Sequence, residues 1–247
     1  MMRFLYQYVL KPILFRFDPE WVHDVFVNLG ETPGRCAATR RLVSLTYGYR
    51  GPDASVTIDN VTYRTPVVLA AGFDYNGRLV RILRSVGFGG MEVGSVTARP
   101  NAGNPPPRLR RLVQSKSLLV NKGLRNDGVE VIAQRLRDTP RDPDFVVGVS
   151  IARTNDQEAA SVAGGIADYR ASLQHLVQAD TGDFYTVNIS CPNVHGGESF
   201  AEPMLLRRLL ESLRTVRHER PMYVKMPIDL EEDQFDSLLK ATRTLQP

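Results

Sequence analysis

Residues 145–189 contain the pattern that decides the fold. The run FVVGVSI at 145–151 is almost continuously apolar, AASVAGGIADYRASLQHLVQ at 159–178 repeats its apolar residues with helical spacing, and FYTVNI at 184–189 is a second apolar run. A strand that is apolar on both faces needs cover on both sides, which parallel sheets obtain from crossover helices. The segment therefore predicts a strand–helix–strand unit with parallel strands.

The same alternation continues on both sides of this unit. The predicted strands are 67–71, 90–96, 145–151, 184–189 and 222–226, and the predicted helices are 77–86, 126–137, 159–178, 202–218 and 231–245. An open doubly wound sheet and a (β/α)8 barrel both fit this order. No G-x-G-x-x-G follows the first strand, and polar residues gather at the carboxyl ends of several strands. We therefore favour the α/β class with a (β/α)8 TIM barrel.

The number of units limits this prediction. The 181 residues after residue 66 accommodate about five βα units, whereas a closed barrel typically takes about 250 residues. We expect a (β/α)8 TIM barrel with an N-terminal helical extension, apparently truncated after about five βα units.

The amino-terminal residues predict a helical pair. Residues 1–17 are aromatic and aliphatic, but Lys11 and other polar residues leave no stretch long enough to span a bilayer. Asp18-Pro19-Glu20 is typical of a helix start, and Gly30 offers a stop. Packing on the protein body and contact with a membrane surface or an apolar ligand both fit the apolar faces.

Three segments follow from these patterns. Residues 1–30 form an amphipathic helical pair, and residues 31–66 form a connector and a hairpin that turns at Asp59-Asn60. Residues 67–247 form the barrel, incomplete at its carboxyl end.

The composition excludes some classes of protein and of binding partner. The apolar fraction is 43%, the charged fraction 23% and the net charge +4, which excludes a disordered chain and a polytopic membrane protein. No basic run of five residues and no metal-ligand spacing occurs, so we expect neither a nucleic acid partner nor a metal. Two distant cysteines give no disulfide framework.

The densest chemistry lies in NISCPNVHGG at 188–197. Most cysteines at strand ends are small core residues, but Cys191 stands between Asn188 and Asn193 at a predicted barrel mouth. Asparagine amides both donate and accept, which suits an amide-rich heterocycle. A thiol with a lowered pKa can act as a general base.

At these residues the sequence resembles the dihydroorotate dehydrogenase family, FMN-dependent (β/α)8 enzymes of pyrimidine synthesis. The most specific match is the run 188–197, and Val224-Lys225-Met226 is the next. Asp18-Pro19-Glu20 resembles the start of the helical pair of the quinone-using class 2 members. The other matching segments are 69–74, 87–89, 99–100, 103–105 and 108–109.

The resemblance implies an FMN site and a substrate site. The implied FMN contacts are Ala70, Ala71, Gly72, Ser95, Ser150, Asn188 and Lys225. Lys225 would place positive charge near the N1/O2 edge of the flavin. Asn121, Asn188 and Asn193 would hold dihydroorotate, and Cys191 would remove the C5 proton while C6 delivers hydride to the flavin.

The resemblance also implies a quinone acceptor, with Arg111 beside its tunnel, and the N-terminal helices on a membrane surface. It implies a peripheral membrane protein at the cytoplasmic face of the inner membrane, monomeric or homodimeric. Three positions depart from the class 2 pattern: Cys191 replaces the usual serine base, Tyr75 replaces a lysine, and Ser150 replaces an asparagine. The segment 121–128 is one residue shorter than usual.

Two other functions remain open from the sequence. One is another FMN-dependent oxidoreductase, acting on a dihydropyrimidine, and the other is a non-catalytic remnant that binds no flavin. Barrel enzymes commonly hold a cofactor phosphate with the loops after strands seven and eight. Because the sequence pattern contains neither strand, we expect the 247-residue chain alone to bind FMN poorly.

Overall fold

The first elements of the chain are helices. The computed structural model describes residues 2–190 and 200–243. Its first elements are α1 (Met2–Leu5), a π-helical turn (Tyr6–Leu10), α2 (Lys11–Leu14), α3 (Pro19–Gly34) and α4 (Ala37–Tyr47). Helix α4 lies in the segment that the sequence predicts to be a connector.

Helix α3 begins as predicted and ends later. The Asp18 carboxylate accepts a hydrogen bond of 2.9 Å from the Trp21 N–H, and Pro19 is the first helical residue. The predicted stop at Gly30 is wrong, because the helix continues to Gly34. A Cβ on Gly30 would lie 2.3 Å from Leu79 Cδ2, so this glycine allows close packing against Leu79.

The predicted hairpin is confirmed. Strands β1 (Val56–Ile58) and β2 (Val61–Tyr63) pair antiparallel. Asp59 and Asn60 have φ values of 49° and 63°. Positive φ at both turn residues is the requirement of a type I′ turn, which asparagine and aspartate tolerate.

The remaining strands form a parallel sheet and a second hairpin. They are β3 (Val68–Leu69), β4 (Gly90–Val96), β5 (Leu109–Leu112), β6 (Ser117–Val120), β7 (Val146–Ile151), β8 (Phe184–Asn188) and β9 (Met222–Lys225). The parallel sheet has the order β3-β4-β7-β8-β9. Each strand pairs with the next sheet strand along the chain, whereas a doubly wound sheet reverses its order at a switch point. The described sheet therefore has the order of a (β/α)8 barrel.

Helices cover the outer face of this sheet. They are α5 (Val80–Leu83) with a 3₁₀ turn (Arg84–Val86), α6 (Val129–Arg137), α7 (Val162–Gln178), α8 (Pro203–Arg214) and α9 (Glu232–Arg243). The core lies between sheet and helices, where Met91, Val93 and Leu173 are fully buried with Leu206 and Leu209. The predicted strand–helix alternation is confirmed.

Two predictions about strand and loop lengths are wrong. The first barrel strand covers Val68–Leu69, so residues 70 and 71 lie in the following loop. The long loop before α6 contains the hairpin of β5 and β6. Its turn lacks the glycine or asparagine signal of a hairpin, and Lys116 adopts the positive φ of 52° there.

Glu31 joins α3 to the barrel through ion pairs with arginines. We therefore expect the stability of the fold to depend on the ionisation of Glu31 at acidic pH. Its carboxylate accepts from Arg78 Nε at 2.6 Å and from Arg35 Nη2 at 2.8 Å. Burial opposes ionisation of Glu31, but these two arginines hold its pKa below the ordinary value. A depressed carboxyl pKa stabilises the fold above the unfolded pKa and loses this effect as pH falls through the folded pKa.

We expect Glu31→Gln to lower the free energy of unfolding at pH 7 by about 1 kcal/mol, and to have a smaller effect at pH 3. Urea unfolding at both pH values measures this. Glu211→Gln, an exposed change on α8, is the control and should have no effect at either pH. A difference for Glu31→Gln that is as large at pH 3 as at pH 7 would contradict the ionic explanation.

Candidate active site

The loop after β3 leaves its backbone open. The Gly72 N–H donates to the Gly94 carbonyl at 2.7 Å, and Gly72 has a φ of 102°. A Cβ built on Gly72 would meet no atom within 4 Å. Ala70 and Ala71, the other two predicted cofactor contacts of this loop, precede Gly72; Ala70 is exposed and Ala71 is half-buried. A flat ring can approach the open backbone of Gly72 closely.

Three predicted site residues meet beside this loop, at the carboxyl ends of β4, β7 and β8. The Ser95 and Ser150 hydroxyls lie 2.9 Å apart, and the Asn188 amide nitrogen donates to Ser95 Oγ at 2.7 Å. The Asn188 amide oxygen accepts from the Ser190 hydroxyl at 2.9 Å. The Tyr169 hydroxyl donates to the Asn188 carbonyl at 2.7 Å. All four contacts fix the asparagine and the two hydroxyls in one orientation.

Asn121 belongs to a different group of amides. It ends the β6 side of the hairpin, and its Oδ1 accepts from the Asn104 amide at 2.8 Å. Asn101 donates to the Gly123 carbonyl at 3.0 Å, and Asn155 lies 3.5 Å from Asn104. Sequence reasoning did not assign Asn101, Asn104 or Asn155 to the site. Asn101 and Asn104 lie in the loop between β4 and β5, and Asn155 lies in the loop after β7. The structure brings Asn121 to this group.

Lys225 lies opposite Asn188 in the register of β8 and β9. The sequence predicts that residues 222–226 are a buried strand, but Lys225 is exposed and its β9 neighbours are half-buried. This part of the prediction is wrong, because β9 is the last strand of the described sheet and only β8 flanks it. Cys191 and Asn193 lie outside the described residues.

Arg111 joins the hairpin of β5 and β6 to the N-terminal helices. Its Nη1 donates to the Phe17 carbonyl at 2.8 Å, and its guanidinium lies 4.7 Å from the centre of the Phe15 ring. Arg111 therefore makes both a hydrogen bond and a cation–π contact with the end of the N-terminal segment.

Tyr75 lies in a charged cluster between α3 and the barrel. Its hydroxyl donates to Asp24 at 3.3 Å, and its ring stacks on His23 with centroids 5.7 Å apart. Burial raises the pKa of Tyr75 to about 12. The Lys122 ammonium lies 4.7 Å from the ring centre, and burial lowers its pKa. Within the described residues this ammonium has no hydrogen-bond partner.

The acidic members of the cluster come from α3. Glu20 accepts from Arg108 at 3.1 Å and from Arg125 at 3.0 Å. Burial opposes the ionisation of Asp24, but the His23 hydrogen bond and the charge of Arg125 keep its pKa below the ordinary value. A cavity of about 1210 Å³ opens between α3 and the loops after β3 and β4. Sequence reasoning missed this cluster, because its members are far apart along the chain.

Among the described residues, no helix is long and apolar enough to cross a bilayer.

Comparison with known proteins agrees with this architecture. A model of the dihydroorotate dehydrogenase family matches residues 53–245. The dihydroorotate dehydrogenase (quinone) of Roseiflexus sp. (strain RS-1) is 35% identical over 237 residues, which cover 94% of this chain and 64% of that protein. The protein of the same name from Thermobifida fusca (strain YX) is 35% identical over 245 residues, which cover 95% and 63%.

A solved structure shows the same fold. The Eimeria tenella DHODH in complex with ferulenol superposes with a TM-score of 0.75 at 25% identity, over 92% of this chain and 64% of that one. The chain thus spans less than two thirds of the length of these relatives. The family model matches residues 53–245, which are more than half of the chain. The chain belongs to the dihydroorotate dehydrogenase family.

Proposed function

We propose that this chain acts as a quinone-linked dihydroorotate dehydrogenase, which oxidises dihydroorotate to orotate through FMN. The observation that carries the proposal is the group of Ser95, Ser150 and Asn188 beside the open backbone of Gly72. Hydroxyl and amide groups at the carboxyl ends of barrel strands are where such enzymes bind their ligands. The names of the relatives, dihydroorotate dehydrogenase (quinone), supply the reaction.

The residues at this site fit a flavin. The backbone of Ala70, Ala71 and Gly72 would lie along the ring, because a Cβ at Gly72 would meet only open space. The polar side chains that would contact FMN are Ser95, Ser150, Asn188 and Lys225. When bound, FMN accepts a hydride from the substrate. The exposed ammonium of Lys225 would add positive charge beside Asn188.

The substrate would be held by amides and deprotonated by the thiol. Asn121, Asn188 and Asn193 would bind the amide and carboxylate groups of dihydroorotate. Cys191 Sγ would take the proton from C5 as the hydride leaves C6, so that a C5–C6 double bond forms. The hydrogen bonds that Asn188 makes to Ser95 and Ser190 would hold its amide in a fixed orientation before substrate binds.

The electron acceptor would be a quinone, which enters from a membrane. Exposed apolar side chains of the N-terminal helices favour contact with lipid, among them Phe4, Tyr8 and Ile13. Arg111 would border the quinone path, since it contacts Phe15 and Phe17. The protein would then lie peripherally at the cytoplasmic face of the inner membrane, as a monomer or homodimer.

Anaerobic flavin spectroscopy tests the reaction. Dihydroorotate should bleach the flavin absorbance at about 450 nm, and a soluble quinone should restore it. Bleaching by a dihydropyrimidine but not by dihydroorotate would favour another FMN-dependent oxidoreductase. Because we expect the chain alone to bind FMN weakly, only a chain that takes up no flavin from a large excess of FMN would favour a non-catalytic remnant.

Deletion of residues 1–17 tests the membrane role. It should weaken binding to lipid vesicles and lower turnover with a long-chain quinone, because the exposed apolar faces are lost. Flavin reduction by dihydroorotate should survive, since none of the proposed substrate contacts lies there. This deletion spares α3, whose Val27 is buried in the core. Unchanged vesicle binding and quinone turnover would make these helices merely structural.

A further inference from the structure

The hairpin of β5 and β6 exposes apolar side chains in an unusual concentration. The side chains of Val113, Leu118 and Leu119 are 65%, 53% and 58% exposed. Leu112 and Val120 are exposed as well. A two-stranded hairpin with such a surface has no core of its own to bury these residues. Leu118 and Leu119 are consecutive in β6 and lie on opposite faces of the hairpin, so both faces expose apolar side chains. Exposed apolar surface of this extent marks a place of interaction.

The charges of the hairpin all have one sign. Between residues 109 and 120 the charged residues are Arg110, Arg111 and Lys116, and the sequence contains no carboxylate there. Residues 1–17 have the same character, since their charged residues are all basic and the first acidic residue of the chain is Asp18. Apolar side chains mixed with basic ones are suited to a lipid bilayer with anionic headgroups, because it offers both hydrocarbon and negative charge.

Direct contacts join the two segments into one surface. Arg111 on β5 donates to the Phe17 carbonyl at 2.8 Å and lies over the Phe15 ring at 4.7 Å. Lys11 approaches the same ring from the helix, with its ammonium 5.1 Å from the ring centre. The hairpin is therefore a continuation of the N-terminal surface.

We propose that this hairpin is a second membrane-contact element, which lies on an anionic lipid surface beside the N-terminal helices. This rests on the proposed membrane-linked function and adds the hairpin to it. The turn around Val113 would enter the interfacial region, with Leu118 on one face of the hairpin and Leu119 on the other. The basic residues Arg110 and Lys116 would face the lipid phosphates. The strand edges would stay at headgroup depth, where water satisfies their backbone groups.

A second copy of the chain is a poorer occupant of this surface. A symmetric contact places the same patch of both copies together. It would bring the three basic residues of each hairpin close to those of the other, with no carboxylate between residues 109 and 120 to pair them. An anionic bilayer removes this repulsion, which is why we assign the surface to lipid.

Vesicle flotation tests the assignment. Val113→Ser/Leu119→Ser should lower partition onto phosphatidylcholine–phosphatidylglycerol vesicles by about tenfold relative to the wild type. Met204→Ser/Phe235→Ser is the matched control, because it removes two exposed apolar side chains from α8 and α9. The control should partition like the wild type. Arg110→Glu/Lys116→Glu should lose binding to these vesicles and change little on pure phosphatidylcholine.

A direct proximity measurement separates the hairpin from the helices. Val113→Trp in a Trp21→Phe background leaves one tryptophan, which brominated lipids should quench when vesicles are added. Equal partition of the hairpin variant and wild type, or absence of quenching, would overturn the inference. If the deletion of residues 1–17 weakened vesicle binding in that case, the membrane-linked function would stand without the hairpin. A dimer in solution that Val113→Ser/Leu119→Ser dissociates would assign the surface to a second copy instead.

Discussion

Cys191→Ala should slow flavin reduction by dihydroorotate by about 10²–10⁴-fold while flavin stays bound. The methyl group of alanine cannot take the C5 proton, and the loss of a general base typically has an effect of this size. The proposed flavin contacts lie on other residues, so the cofactor content should match that of the wild type. Stopped-flow absorbance under anaerobic conditions, with flavin content measured in parallel, gives both quantities.

Two further variants make this result specific. Cys191→Ser should retain part of the activity and should need a higher pH, because a hydroxyl gives up its proton less readily than a thiol. Cys36→Ala is the matched control, since Cys36 is exposed at the start of α4 and should have no effect. Reduction of Cys191→Ala at the wild-type rate would remove Cys191 from the mechanism.

The sequence predicted the parallel sheet because its signals are local. The apolar strands at 90–96 and 184–189 each agree with the structure to within one residue. Asp18 and Pro19 marked the start of α3, and Asp59-Asn60 marked a type I′ turn. In each case one short pattern determines the backbone, whatever the rest of the chain does.

The errors occur where distant residues decide the structure. Gly30 has the appearance of a helix stop, but its role is to admit Leu79, which lies 49 positions further along. The hairpin of β5 and β6 has no turn signal of its own, and Arg111 anchors it to Phe15 and Phe17. Periodicity within a window contains no information about such contacts.

The site residues that lie at the carboxyl ends of strands could be predicted from the sequence. Ser95, Ser150 and Asn188 stand at carboxyl ends of strands, and their meeting follows from the parallel order. Tyr75 and Lys122 meet only because the loop after β3 and the loop before α6 lie side by side, although the two residues are far apart along the chain. The roles proposed for these residues stay predictions until the variants are measured.

Asp168→Ala should produce a large loss of stability, because this buried carboxylate joins two loops at the barrel mouth. Asp168 lies on α7 and accepts from the Thr154 N–H at 2.9 Å and from the Thr154 hydroxyl at 2.6 Å. Arg99, in the loop after β4, lies 3.4 Å from the same carboxylate. Removal leaves buried donors without an acceptor, so we expect the free energy of unfolding to fall by about 3–5 kcal/mol. Urea unfolding measures it.

The matched comparison separates burial from charge. Glu158 also pairs with Arg99, at 3.5 Å, but its side chain is 78% exposed, so Glu158→Ala should lower the free energy of unfolding by less than about 1 kcal/mol. Asp168→Asn keeps one acceptor for Thr154 and should fall between the two variants. If Asp168→Ala were no more destabilising than Glu158→Ala, water would have to satisfy the Thr154 donors. The mouth would then not depend on α7 for its shape, and the positions of the Arg99 and Thr154 loops would have to be set by their own strands.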